Sequence, residues 1–127
     1  MRILYVEDDP DSREVMTVLL GLWSYEVVTA GGPNDAMELA KQRGFALIVL
    51  DSWYENGSGV ELCKQIRQFD TNTPIIFYSA ATYETDVQQA LEAGAQGYLF
   101  KPTGIQELVH TIKGLTENEK RQPACML

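Results

Sequence analysis

The amino-acid sequence predicts an α/β fold in which a five-stranded parallel sheet is covered by five helices, giving three layers. Five short apolar segments alternate along the chain with segments whose apolar residues recur at helical spacing. Alternating units of this kind form parallel sheets, because right-handed crossovers place the helices on the two faces. The chain has 127 residues, which is enough for one compact domain with a hydrophobic core.

The predicted strands are short runs rich in Ile, Val, Tyr and Phe, residues that favour extended structure. The runs are ILYV at 3–6, EVVTA at 26–30, ALIVL at 46–50, PIIFYSA at 74–80 and GYLF at 97–100. The third run is apolar without alternation, which is typical of a central strand covered on both faces. The second run is the weakest, and we therefore expect it at an edge of the sheet.

A helical repeat follows each run. In the first helix the apolar positions recur as i, i+3, i+4 and i+7, which predicts that they face the core. These positions are Val15, Val18, Leu19 and Leu22. The other predicted helices have their apolar positions within 36–40, 60–69, 87–91 and 105–112.

Composition and charge exclude several classes of protein. The net charge of −8 argues against direct nucleic-acid binding, since phosphate backbones attract basic surfaces. No apolar run approaches the roughly 20 residues needed to cross a bilayer, and the run ILYV is too short for the core of a signal peptide, so we do not expect export. The two cysteines do not form a disulfide framework. We therefore predict a single cytoplasmic domain at residues 1–120, followed by a short C-terminal tail at 121–127.

Chemically active side chains follow four of the five predicted strands. Asp8 and Asp9 follow the first strand, and Asp51 follows the third. Ser79 lies at the end of the fourth strand, and Lys101 follows the fifth. In an open parallel sheet the carboxyl ends of the strands meet at one edge, where such folds bind ligands. We therefore expect three acids, one hydroxyl and one amine to converge.

The chemistry of this set is restricted. Clustered carboxylates without a neighbouring His or Cys suit a hard cation such as Mg²⁺. An aspartate at the end of a buried strand, here Asp51, can also act as a nucleophile that forms an aspartyl phosphate. Lys101 and Ser79 would then contact the phosphoryl oxygens. An alternative is that the acids cap the first helix, where Pro10 suits the first turn. We interpret Glu7, which precedes the acidic pair, as incidental.

Together these residues resemble the receiver domain of two-component response regulators, along nearly the whole chain. The matching positions are Asp8 and Asp9, Asp51, Gly59 eight residues after it, Ser79 with Ala80, Tyr98, and Lys101 with Pro102. Any one of them would be a weak signal, whereas the whole set at the correct spacing is specific. The resemblance implies a doubly wound, flavodoxin-like sheet with strand order 2-1-3-4-5.

The resemblance also implies a role for each residue in phosphorylation. Asp51 would accept a phosphoryl group from a sensor histidine kinase or a histidine phosphotransfer protein. Mg²⁺ would be bound by Asp8, Asp9, Asp51 and the backbone carbonyl of Trp53. Lys101 would contact the phosphoryl group. The protein would be a phosphoacceptor regulator whose only chemistry is on itself, and not an enzyme in the ordinary sense.

A conformational switch is implied as well. Ser79 would move toward the phosphoryl group and Tyr98 would rotate inward behind it, changing the surface of the fourth helix, fifth strand and fifth helix. The Lys101–Pro102 bond would be cis. The implied partners are the kinase, a downstream protein target or an output domain missing from this chain, and a second copy of the chain that binds on phosphorylation.

The stretch after the phosphoacceptor departs from the family pattern. Tyr54 and Glu55 stand where relatives usually have Met-Pro, so we expect a freer loop backbone, with a turn at Asn56-Gly57. The bulky Trp53 is expected to shield the mouth of the site. These departures leave one alternative open, a pseudo-receiver that binds protein partners without phosphate. The complete set of acids, hydroxyl and amine weighs against that alternative.

Overall fold

The computed structural model of the protein describes residues 1–125, and side chains as far as Thr116. Its strands, in chain order, are β1 (Arg2–Val6), β2 (Glu26–Ala30), β3 (Leu47–Leu50), β4 (Trp53–Tyr54), β5 (Gly57–Ser58), β6 (Ile75–Ser79) and β7 (Gly97–Phe100). The helices are α1 (Pro10–Gly21), α2 (Pro33–Gln42), α3 (Gly59–Arg67), α4 (Glu84–Glu92) and α5 (Ile105–Cys125).

The central sheet has five parallel strands in the order β2-β1-β3-β6-β7. Strands β4 and β5 form a separate short hairpin, so β6 and β7 are the fourth and fifth strands of the central sheet. The order is therefore the predicted 2-1-3-4-5. All four residues of β3 are buried and β2 lies at an edge, as the sequence predicted. The predicted α/β fold is therefore confirmed.

Two apolar clusters lie on opposite faces of the sheet. Helices α2, α3 and α4 cover one face, where Leu4, Ile48 and Phe77 are buried. Helices α1 and α5 cover the other face, where Ile3 and Val49 are buried. Successive side chains of a strand point to opposite faces, which explains why neighbouring residues of β1 belong to different clusters. The result is the predicted arrangement of three layers.

The predicted core face of α1 is wrong. Val15, Val18 and Leu22 are 55%, 59% and 76% exposed, whereas Met16 and Leu20 are buried against the sheet. Apolar residues occur almost all the way round this segment, so its periodicity did not define a single face. Helix α1 therefore buries Met16 and Leu20, which lie four residues apart, and exposes Val15 and Val18 to solvent.

The other helices present their predicted core residues more closely. Ala36, Ala40, Cys63 and Ile66 are buried in one cluster, and the buried residues of α5 belong to the other. Leu91 is an exception, because it is 47% exposed beside the fully buried Ala90. Burial raises the pKa of the Cys63 thiol to about 11, so this cysteine behaves as a core residue.

The β4–β5 hairpin was not predicted. Its pairs are Trp53 with Ser58 and Tyr54 with Gly57, so the turn lies at residues 55–56, one residue before the predicted position. Gly57 has a φ of +150°, which favours glycine over residues with a side chain. The hairpin gives the loop after β3 a fixed path instead of the expected freedom.

Two further predictions concern the ends of the chain and membranes. Within residues 1–125, the structure contains no helix that is both long and apolar enough to cross a bilayer. Helix α5 continues to Cys125, but the side chains of residues 117–127 lie outside the described part of the chain. The division between a domain at 1–120 and a tail at 121–127 stays a prediction.

Candidate functional site

An ion-pair cluster lies at the carboxyl edge of the central sheet. The Nζ atom of Lys101 lies 2.7 Å from Oε1 of Glu7 and 3.0 Å from Oδ2 of Asp51. These residues follow β7, β1 and β3, so one amine joins the ends of three strands. The Asp51 side chain is 18% exposed and the Glu7 side chain 6%. The convergence of Asp51 and Lys101 that the sequence predicted is present.

Glu7 is not incidental, and that interpretation was wrong. Its carboxylate is buried, accepts a hydrogen bond from Lys101 through Oε1, and accepts one from the Asp9 N–H at 3.2 Å through Oε2. Removing such a group from water is unfavourable unless it is paired. The sequence signal was available, because Glu7 is the first residue after the buried run that forms β1.

Asp9 lies at the N-cap of α1, and its carboxylate does not join the cluster around Lys101. Oδ2 of Asp9 accepts hydrogen bonds from the N–H of Ser12 at 3.3 Å and from its hydroxyl at 2.7 Å. The hydroxyl of Ser12 is the main cause of the lowered pKa of Asp9. The expectation that Asp9 turns toward Asp51 is therefore corrected. The alternative interpretation, a helix cap with Pro10 in the first turn, holds for this residue.

Backbone N–H groups orient the other two carboxylates. Oδ2 of Asp8 accepts a hydrogen bond from the Glu55 N–H at 3.1 Å, which connects the loop after β1 to the hairpin. Oδ1 of Asp51 accepts one from the Ser52 N–H at 2.6 Å. One oxygen of Asp51 is thus held by backbone and the other lies beside Lys101.

Lys101 is held by several groups. Burial alone would lower its pKa, but the hydrogen bonds and negative charges of Glu7 and Asp51 outweigh that effect and raise the pKa. The ammonium also lies 5.5 Å from the centroid of the Tyr78 ring. The Lys101–Pro102 peptide bond is cis, as the resemblance implied. At neutral pH this residue supplies a fixed positive charge between two carboxylates.

Ser79 and Tyr98 both make hydrogen bonds with Ala81 in the loop after β6. Ser79 is 1% exposed, and its Oγ accepts a hydrogen bond from the Ala81 N–H at 3.1 Å. The hydroxyl of Tyr98 donates to the Ala81 carbonyl at 2.7 Å. The Tyr98 ring stacks on that of Phe77, with centroids 5.7 Å apart and an angle of 3° between the planes. Tyr98 is therefore already packed inward in this structure.

Gly59 allows α3 to approach the loop after β3. A Cβ atom at this position would lie 1.8 Å from the carbonyl oxygen of Asp51 and 2.9 Å from the Phe77 ring. The Gly59 N–H donates to the Ser52 carbonyl at 2.9 Å. A residue with any side chain would displace this loop, which explains the glycine by close packing.

Trp53 lies on β4 and is 68% exposed, so most of its ring is free of packing contacts. That Trp53 shields the mouth of the site stays a prediction.

The donor set fits a hard divalent cation in its chemistry. Glu7, Asp8 and Asp51 provide only oxygen atoms, and Lys101 is the positive charge that contacts two of them. Such a set is typical of Mg²⁺ sites, which combine one or two carboxylates with water and phosphate oxygens. Among the residues that the structure describes, no group of three or more acidic, His or Cys side chains is arranged so that it could hold a metal ion, so the fit lies in the residue types.

Comparison with known proteins supports the resemblance. Residues 3–113 match the family model described as the response regulator receiver domain. The nisin biosynthesis regulatory protein NisR of Lactococcus lactis is 35% identical over 120 residues, which are 94% of this chain and 52% of that protein. The DNA-binding response regulator MtrA of Mycolicibacterium smegmatis is 31% identical over 126 residues, 99% of this chain and 55% of that protein. The chain spans about half the length of these curated relatives.

A solved structure gives the same result for the fold. The response regulator TrrA of Thermotoga maritima, in complex with Mg(2+)-BeF, superposes with a TM-score of 0.81 at 30% sequence identity. The match covers 90% of this chain and 97% of that one. The topology of the sheet is therefore that of a solved response regulator.

Proposed function

The chain belongs to the response regulator receiver domain family, and on this premise we propose that it is a phosphorylation-controlled switch with Asp51 as its phosphoacceptor. The observation that carries the proposal is the orientation of this carboxylate. The Ser52 N–H holds Oδ1, Lys101 lies beside Oδ2, and the side chain is still partly exposed to solvent. A phosphodonor can therefore approach a carboxylate that is already fixed in place.

In the proposed reaction, an oxygen of Asp51 attacks the phosphorus atom of a phosphohistidine on the donor protein. The bond between phosphorus and the imidazole nitrogen breaks, and its electron pair stays on that nitrogen. The product is a mixed anhydride on Asp51, and the carboxylate attacks without a general base. The ammonium of Lys101 then pairs with a phosphoryl oxygen in place of the Asp51 oxygen that it now contacts.

A divalent cation is part of the proposal. Bound Mg²⁺ would supply positive charge that neutralises the phosphoryl oxygens and the surrounding carboxylates. The proposed ligands are the carboxylates of Asp8 and Asp51 and the backbone carbonyl of Trp53, with Glu7 in place of Asp9. Glu7 is favoured because its buried carboxylate lies in the cluster, whereas Asp9 caps α1.

The proposed switch uses the loop between β6 and α4. When the Ser79 hydroxyl turns toward a phosphoryl oxygen, it gives up its hydrogen bond from the Ala81 N–H. Because the Ala81 carbonyl accepts from Tyr98, the loop and this ring are expected to move together. Phosphorylation replaces the single negative charge of the Asp51 carboxylate by a phosphoryl group with a charge of about −1.5 to −2 and three acceptor oxygens, a change that can bias such a two-state element.

The partners of the whole protein belong to the proposal too. The phosphodonor would be a sensor histidine kinase or a histidine phosphotransfer protein. The response would pass to a protein target, to an output domain outside this chain, or to a second phosphorylated copy. MtrA is named as a DNA-binding response regulator, and the net charge of −8 argues that this chain does not bind DNA directly.

The experiment is an intact-mass measurement after incubation with Mg²⁺ and a small acyl-phosphate donor. The wild-type protein is expected to gain one phosphoryl group, and Asp51→Asn to gain none. Chelation of Mg²⁺ should abolish the gain. A wild-type protein that stays unmodified with both the small donor and a phosphorylated histidine phosphotransfer protein would contradict the proposal, and would favour a phosphate-independent binding module.

A further inference from the structure

We propose that the Tyr54 hydroxyl and the Glu55 N–H form a polar bridge that positions the acidic loop after β1 against the phosphoacceptor loop after β3. This bridge takes the place of the Met-Pro pair that relatives usually have here. Tyr54 and Glu55 are thus positioning residues, and the inference rests on the proposed function of Asp51.

The Tyr54 hydroxyl connects two strands at the point where they separate. The parallel pairing of β1 with β3 ends at Tyr5 and Val49. Beyond it, the oxygen of Tyr54 accepts a hydrogen bond from the Asp51 N–H at 2.6 Å and donates to the Val6 carbonyl at 3.2 Å. The phenol therefore continues the connection between the strands as far as Asp51.

The phenol is well placed to act as a fixed spacer. Tyr54 is 7% exposed and belongs to the apolar cluster under α2 and α3, so its ring is fixed by packing. The hydroxyl uses both of its functions at once, because its oxygen accepts from the Asp51 N–H while its proton goes to the Val6 carbonyl. A methionine at this position would offer no donor and only a weak acceptor.

The Glu55 N–H makes the second connection. It donates to Oδ2 of Asp8 at 3.1 Å, across 47 residues of sequence. A proline has no N–H, so a relative with proline at this position has no such hydrogen bond. The Glu55 side chain is exposed, and the backbone group alone carries the contact.

The two contacts act on opposite halves of the proposed metal site. One fixes the backbone of Asp51, and the other fixes an oxygen of Asp8. Groups that orient metal ligands through hydrogen bonds commonly change metal affinity by about 10- to 100-fold when they are removed. We therefore expect the bridge to set the affinity of the site for Mg²⁺.

The test measures Mg²⁺ affinity by fluorescence of Trp53 in a Trp23→Phe background, which removes the other tryptophan. Tyr54→Phe removes the hydroxyl and keeps the ring. Glu55→Pro removes the N–H, and its reference is Glu55→Ala, which loses the same carboxylate and keeps the N–H. Both test variants should raise the Kd for Mg²⁺ by about tenfold over their references.

Two controls separate positioning from general stability. Ile66→Val lowers stability at a buried position of α3 and should leave the Kd for Mg²⁺ unchanged. In the metal-free protein, Tyr54→Phe should speed hydrogen exchange of the Asp51 amide without a matching change in core amides. If Glu55→Pro does not fold, Tyr54→Phe alone still tests the bridge.

The outcomes are distinct. The bridge is overturned if Tyr54→Phe binds Mg²⁺ as tightly as the wild type and Glu55→Pro binds it as tightly as Glu55→Ala. The phosphorylation proposal stays intact in that case. A wild-type protein that binds no Mg²⁺ would overturn both. Weaker binding in the two test variants, with Ile66→Val unchanged, would establish the bridge.

Discussion

The side-chain oxygens of Ser52 and Tyr98 lie 2.8 Å apart, although 46 residues separate them in the sequence. Ser52 directly follows Asp51 and is 6% exposed. Tyr98 in turn donates to the Ala81 carbonyl. A chain of hydrogen bonds therefore runs from the loop after β3 to Ala81 in the loop after β6, two residues beyond Ser79. This chain gives the proposed switch a direct physical route.

A double-mutant cycle tests the Ser52–Tyr98 hydrogen bond. We expect Ser52→Ala and Tyr98→Phe to be coupled by about 0.5–1.5 kcal/mol in the free energy of unfolding, the usual net value of one hydrogen bond. Urea unfolding of the two single variants, the double variant and the wild type provides the measurement. Additive effects of the two changes would show that the contact does not link the loops energetically.

Substitutions at Glu7 and Asp9 should distinguish metal binding from helix capping. Glu7→Gln removes a buried charge from the cluster, and we expect Mg²⁺ affinity to fall by about tenfold or more. Asp9→Ala removes the N-cap of α1, so it should lower the stability of the fold and change Mg²⁺ affinity by less than about twofold. Fluorescence titration of both variants checks this, and weaker Mg²⁺ binding in Asp9→Ala alone would restore the original assignment.

The contacts of Glu7 and Asp9 show what sequence spacing leaves undetermined. Three adjacent acids follow β1, and each step along the chain turns the side chain in a new direction. The chemistry of the cluster was predictable from residue types alone. Which acid enters the cluster depends on where β1 ends and where α1 begins. In this chain β1 ends at Val6 and Asp9 caps α1, so Glu7 is the acid that enters.

The same distinction applies to the fold. Strands such as β3 were predictable because a short uninterrupted apolar run is typical of a strand that is buried on both faces. The face of α1 was not, because both Val15 and Met16 are apolar and only packing against the sheet distinguishes them. The contact of the Tyr54 hydroxyl with the Val6 carbonyl was not predictable either, because these residues lie 48 positions apart and no local pattern brings them together.

Asp70 should make the free energy of unfolding depend on pH, and its pKa in the folded protein lies below the usual value for aspartate. Burial would raise its pKa, but hydrogen bonds from Thr73 and Asn72 outweigh burial and lower it. A lowered pKa in the folded state gives stability that is present above the unfolded value and is lost as pH falls through the folded value. Asp70→Asn should cost about 1–3 kcal/mol near neutral pH.

The difference between wild type and Asp70→Asn is the quantity to follow. We expect it to stay constant at pH 6–7 and to shrink below about pH 4, where the aspartate of the unfolded chain takes up a proton. Urea unfolding at several pH values measures this difference. If the difference in the free energy of unfolding is the same at neutral and at acidic pH, the charge of the Asp70 carboxylate adds no stability beyond what an amide provides.

In the proposed site, Lys101 competes with Mg²⁺ for the same carboxylates, which predicts opposite effects on stability and on metal binding. Lys101→Met leaves the buried carboxylate of Glu7 without its partner, so the metal-free protein should lose roughly 1–3 kcal/mol of stability. Removing a positive charge next to Asp51 should at the same time strengthen Mg²⁺ binding by about tenfold. Phosphorylation by the small donor should nevertheless slow, because no ammonium remains to pair with the phosphoryl oxygen.

Lys101→Arg is the matched control, since it keeps the charge and changes its shape. It should retain Mg²⁺ affinity close to that of the wild type. Fluorescence titration, thermal unfolding with and without Mg²⁺, and intact-mass kinetics together follow the three effects. Added Mg²⁺ should stabilise Lys101→Met more than the wild type, because the cation replaces the lost charge. Unchanged or weaker Mg²⁺ binding in Lys101→Met would mean that the cation binds away from the Glu7–Lys101–Asp51 cluster.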